Sequence, residues 1–129
     1  MKSHLESLGY DITDFGSDNP IYAETAIKVA EYVAENKADR AFLLCGTGIG
    51  VSIAANKVKG AFAALITDPY SALRSVKSNN ANIACFGAFT IGYKLMETLA
   101  DIWLSNSYDS GTPSEEKIKR IKDYDKSRS

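Results

Sequence analysis

Cys45 ends the apolar run Arg40-Ala41-Phe42-Leu43-Leu44 and is followed by Gly46-Thr47-Gly48-Ile49-Gly50. A thiol becomes a nucleophile or a base only as the thiolate, so what surrounds it decides what it can do. Glycines at alternate positions free the backbone for conformations that side chains forbid, and they leave no Cβ to keep a bound group from the amides. Such a loop can cradle an anion. A helix starting near Ile49 or Gly50 would add the positive end of its dipole and depress the thiol pKa. The residue types leave a second reading open, in which the glycines make a tight turn and Cys45 packs as a small hydrophobe. Two familiar glycine loops do not fit: the spacing is not GxGxxG, and no Gly-Lys-Ser/Thr closes a phosphate loop.

The elements that must position this loop alternate. The stretch up to Gly9 reads as the end of a helix, because glycine suits the left-handed position just past a helix terminus. Tyr10–Phe15 reads as a strand, residues 16–20 as a turn, and 21–35 as a helix with Tyr22, Ala26, Val29 and Val33 on one stripe, broadened by Ala23, Ile27 and Ala30. Arg40–Cys45 is a continuous apolar run, expected of a parallel strand covered on both faces. A helix over 51–57, a strand over 61–66, a helix over 69–77 opened by Pro69, a strand over 82–88 and a helix over 91–104 follow, then a loop and a charged helix over 115–125. Repeated βαβ units imply an open parallel sheet with helices on both faces, and ligands in such sheets bind beyond the carboxyl ends of the strands. Cys45 stands at such an end.

The chain has 129 residues, 45% hydrophobic and 24% charged, which suits one soluble globular domain over 1–129, with a terminal helix and tail over 114–129. Fifteen basic against 16 acidic residues leave a net charge of -1, so nucleic acid is not an expected partner. The apolar stretches fall short of a membrane span and no apolar leader follows Met1, so no membrane partner and a cytoplasmic location are expected. Cys45 and Cys85 lack CxxC or Cys/His spacing, which suggests neither a metal site nor a disulfide. Cys85 reads as core, Asp68 as a helix cap, Trp103 with Met96 and Leu99 as a packed stripe, and His4 as a surface residue without a role.

The segments LLCGTGIGVSIAANKVKG, TDPYSALRSVKSNNANIACFGA and IGYKLMETLADIWL closely resemble the ribose-5-phosphate isomerase B family, which includes the galactose-6-phosphate isomerase subunits. The resemblance is continuous from about Leu5 to about Tyr108. It implies an α/β, Rossmann-like three-layer sandwich with a parallel sheet. It also implies a homodimer with shared active sites, with a tetramer or pairing with a related subunit as further options. The implied activity is isomerisation of a small phosphorylated sugar, of the ribose-5-phosphate/ribulose-5-phosphate type, through an enediolate, without metal or organic cofactor. On the same footing Cys45 is the base, Thr47 carries protons between the adjacent oxygens, the amides of Gly46, Gly48, Ile49 and Gly50 hold developing charge, and Asn79 meets substrate hydroxyls.

The sequence also departs from the resemblance. The family's first strand, ending in Ser-Asp-His, has no counterpart, so the domain is expected to be N-terminally shortened. Ser78 stands where the family carries its ring-opening histidine, and serine does not titrate near neutral pH. Phe89 and Thr112 stand in place of phosphate-binding arginines, and Asn19 in place of a tyrosine. Lys117, Lys119 and Arg120 read as a solvated face before they read as replacements. A non-catalytic or partner-dependent subunit, or a sugar-binding module of the same fold, is therefore the alternative to an enzyme.

Overall fold

A computed structural model of the chain describes residues 1–16 and 19–128. In chain order the elements are α1 (Lys2–Ser7), α2 (Tyr22–Ala34), β1 (Ala41–Cys45), α3 (Ile49–Ala55), β2 (Ala63–Leu65), α4 (Pro69–Lys77), β3 (Ile83–Gly87), α5 (Tyr93–Leu104) and α6 (Ser114–Ser127). The three strands are parallel in the order β1-β3-β2, with Cys45 opposite Gly87 and Leu65 opposite Cys85. This is the expected α/β sandwich.

Strand periodicity sorts the core into two layers, because successive side chains point to opposite faces. Odd positions, Leu43, Ile83 and Cys85, pack with Ala26, Val29, Ala30 and Val33 of α2 and Val51 and Ala55 of α3. Even positions, Ala84 and Phe86, pack with Ala72 and Val76 of α4 and Met96, Leu99, Ala100 and Trp103 of α5. The apolar run of β3 is thus buried on both faces, whereas on β1 only Leu43 is fully buried and Leu44 is exposed, and the helices supply matching stripes. Trp103 is fully buried, edge-on to Phe42 and covered by the Arg40 guanidinium, which donates to the carbonyls of Trp103 and Asn106. Ile27, expected on the α2 stripe, faces out.

The two sheet edges differ. At β2 the Asn56 carboxamide imitates a strand: its Nδ2 donates to the Ala63 carbonyl at 3.0 Å and its Oδ1 accepts from the Ala63 N–H at 2.8 Å. Ile118 of α6 is buried nearby, and Asp125 fastens the end of α6 by accepting from the Gly60 N–H at 2.8 Å. At β1 the odd residues bond to β3, as the bonds Ala41 N–H to Asn82 O and Ala88 N–H to Cys45 O show, so the amides and carbonyls of Phe42 and Leu44 turn to the open side. A trough of about 910 Å³ runs there, walled by Leu5, Ile12, Phe15, Val29, Phe42 and Leu44.

That trough explains the main departure from the sequence reading. Tyr10–Phe15 is not a strand: it runs as irregular chain on the trough's far side, where no neighbouring strand is close enough to complete its hydrogen bonds. Phe15 anchors it edge-on against Tyr32. Ser17 and Asp18, within the expected turn, lie outside the described residues. His4 is not a free surface residue either. Its Nε2 lies 2.6 Å from Asp101 and its Nδ1 3.6 Å from Glu97, tying α1 to α5.

Two outcomes follow from the edges. Amide hydrogen exchange at Phe42 and Leu44 is expected to run well ahead of that at Leu43 and Cys45, read residue by residue by NMR. Asn56→Ala is expected to cost about 1 kcal/mol in urea unfolding, because it strips both surrogate bonds from Ala63.

Candidate functional site

The parallel register brings the ends of β1 and β3 together, and the loop after Cys45 is built on that crest. Gly87 allows the approach: a Cβ there would lie 2.6 Å from the Thr47 carbonyl oxygen. Gly48 turns the loop at φ +79°, and a Cβ there would meet Leu65 at 2.7 Å and the Phe86 carbonyl carbon at 2.8 Å. No other residue fits that position without strain.

Because 45 is odd, the Cys45 side chain points to the α2–α3 face, where α3 begins. Its Sγ accepts from the Gly48 N–H at 3.1 Å. Burial raises its pKa, but the N–H groups of Val51, Gly48, Thr47 and Gly50 outweigh that and hold the thiol below its ordinary value. Cys85, fully buried on β3, shows the opposite balance. Burial first, and the neighbouring Cys45 second, push its thiol up to about 12, so it stays protonated. Two cysteines on one sheet face thus have different chemistry, set by whether main-chain N–H groups aim at the sulfur.

Thr47 is exposed on the crest, and its Oγ1 accepts from the Ile49 N–H at 3.2 Å, which leaves the hydroxyl proton available to donate. The loop therefore joins a thiol with a depressed pKa to a hydroxyl, with Gly46, Gly48, Ile49 and Gly50 between and beside them. In this conformation the amides of Gly48 and Gly50 serve the sulfur and that of Ile49 serves Thr47.

Residues around the crest that the spacing argument did not reach shape it further. Tyr22, read from periodicity as part of the α2 stripe, is half exposed, and its hydroxyl lies where a Cβ of Gly50 would stand. Phe89 lies over Gly46, with Cδ2 and Cε2 3.0 and 3.1 Å from the place of a Gly46 Cβ. One sequence signal was available: Gly87 ends an apolar strand, as Gly46 follows one.

Ser78 and Asn79 are not at this crest. α4 starts at the carboxyl end of β2 and runs back, so its C-cap Ser78 and the following Asn79 lie near the amino end of β3, about a strand length, ~15 Å, from Cys45. Asn79 lines a crevice of about 280 Å³ with Asn56, Phe62, Ser75, Ile118 and Ile121. Asp68 is a cap, its carboxylate accepting from the Ser71 N–H at 2.8 Å and the Ser71 hydroxyl at 2.7 Å. Thr112 accepts from Ser114 in the turn before α6, and Lys119 pairs with Asp123. Among the described residues no group of three or more His, Cys, Asp or Glu could hold a metal ion, and no helix is long and apolar enough to cross a membrane.

Known proteins resemble the chain in sequence and in fold. The D-erythrulose-4-phosphate isomerase 2 of Mycolicibacterium smegmatis is 45% identical over 108 residues, 84% of this chain and 71% of that protein. The ribose-5-phosphate isomerase B structure from Clostridium thermocellum superposes with a TM-score of 0.91 at 36% identity, over 99% of this chain and 88% of that one. The Mycoplasma genitalium ribose-5-phosphate isomerase B, solved with ribulose-5-phosphate bound, gives 0.90 at 31%, over 98% and 86%. The family model described as Ribose/Galactose Isomerase matches residues 1–121, and the chain belongs to that family.

Proposed function

We propose that the chain isomerises a small aldose phosphate to its ketose phosphate at the crest of β1 and β3, with Cys45 as the base. The observation that carries this is the Cys45 sulfur held by main-chain N–H groups, which keeps the thiol below its ordinary pKa while leaving it partly exposed. The thiolate takes the proton from C2 of the open-chain aldose; the C–H electrons form the C1–C2 double bond and the carbonyl electrons move to O1. The thiol returns the proton to C1, and the O2 proton passes to O1 through the Thr47 hydroxyl, leaving the ketone at C2. Every atom is accounted for without a metal or an organic cofactor. As the sulfur gains its proton its N–H partners are released toward the enediolate oxygens, so the same amides follow the charge.

A second copy completes the site in this reading. Ser78 and Asn79 lie at the far end of their own sheet, so they reach a sugar at Cys45 only from a partner subunit. Exposed Ile49 and Ile53 on α3, with Tyr70 and Leu65, offer an apolar face for that partner. The open edge of β1 has room for one further strand beside it. The same edge is what favours the alternative, a subunit active only when another chain completes it. Relatives named for erythrulose 4-phosphate and ribose 5-phosphate make four- and five-carbon sugar phosphates the first substrates to assay.

Cys45→Ala is expected to lower kcat by at least about 10²-fold with the thermal midpoint little changed, and unchanged turnover would remove Cys45 from the mechanism. Because its thiol is held below the ordinary value, the thiolate fraction rises with pH and saturates early. The acid limb of kcat/KM is therefore expected below the pH of a free thiol, and should vanish in any residual Cys45→Ser activity. Shared sites make a separate prediction: Cys45→Ala and Asn79→Ala chains, each impaired, should regain up to about a quarter of wild-type activity when refolded together, because a mixed dimer carries one intact site.

A further inference from the structure

We propose that Phe89 sets substrate specificity, its ring packing on the C–H face of the sugar's carbon chain beyond the two reacting carbons; this rests on the isomerase reading. Phe89 is the most exposed large apolar side chain among the described residues, at 89%. Its backbone is nevertheless fixed. Ala88 N–H donates to the Cys45 carbonyl at 2.8 Å, Phe89 N–H to the Gly46 carbonyl at 2.9 Å, and Thr90 N–H and Oγ1 to the Gly87 carbonyl at 3.2 and 3.1 Å. The ring therefore lies over Gly46, the residue that follows the base, where a Cβ would crowd it at 3.0 Å.

An aromatic surface carried on a fixed backbone at the rim of a polar loop matches the two-sidedness of a carbohydrate. Hydroxyls and carbonyl meet donors and acceptors, here Thr47 and the loop amides, and the C–H face meets the ring. Phe89 has neither a hydrogen-bonding atom nor a charge, so it cannot hold the phosphate. That group must extend past the ring to be met elsewhere, and the number of carbons between the reacting pair and the phosphate is therefore read against the ring. Sugar phosphates of different length meet it differently.

The test measures kcat and KM of wild type, Phe89→Ala and Phe89→Tyr with erythrose 4-phosphate, ribose 5-phosphate and allose 6-phosphate. Phe89→Ala is expected to raise KM for the best substrate about five-fold with kcat within about two-fold, and to bring the kcat/KM ratio between the best and the next sugar toward one. Phe89→Tyr, which keeps the ring, should restore both. An equal loss with all three sugars, unchanged ratios, or conversion of a wild-type oligomer to monomer in sedimentation of Phe89→Ala would overturn the proposal while leaving the isomerase reading intact. A wild-type chain inert toward all three sugars would overturn both.

Discussion

The site depends on one interaction, the convergence of main-chain N–H groups on the Cys45 sulfur. Amide groups are fixed dipoles that need no side chain, so they stabilise a thiolate without introducing a titratable partner. The arrangement requires Cys45 to fall at an odd position of β1, facing α3, and Gly48 to take a left-handed turn against Phe86. It also requires a glycine at 87 so that the loop can rest on the neighbouring strand. Moving the register by one residue would send the sulfur to the α4–α5 face, away from these amides.

The rest of the molecule serves that register. Helices α2 and α3 press on the odd face and α4 and α5 on the even face, so β3 is held from both sides and fixes the height of β1 beside it. Asn56 secures β2 at one margin through two bonds to Ala63, and Asp125 of α6 holds the turn before it at Gly60. The contrast between Cys45 and Cys85 shows how local the chemistry is. Both belong to the same sheet face, yet burial governs one thiol and main-chain donors the other.

Much of this was legible in the sequence. Continuous apolar runs marked the buried parallel strands, Pro69 and Asp68 marked the start of α4 where it is found, and alternate glycines after Cys45 marked the loop. The strand expected at Tyr10–Phe15 failed because a strand-like stretch reports a tendency to pair and not the presence of a partner. Tyr22 shows the limit of periodicity: its spacing put it on the α2 stripe, whereas its hydroxyl closes over Gly50. Ser78 and Asn79 lie close to Cys45 only in the family resemblance, since a single chain's topology sends them to the opposite end of the sheet. Phe89 needed the coordinates, because nothing in the spacing of 87–91 says that its ring comes to rest on Gly46.

The bare margin of β1 has a consequence for handling the protein. Apolar Phe42 and Leu44 expose their amides and carbonyls along a strand that carries neither a lysine nor a proline to discourage pairing. Such an edge is a template for an extended chain. Where nothing lies against it, the edge favours edge-to-edge pairing at high protein concentration, and an occupant of the trough would act as a solubilising cap.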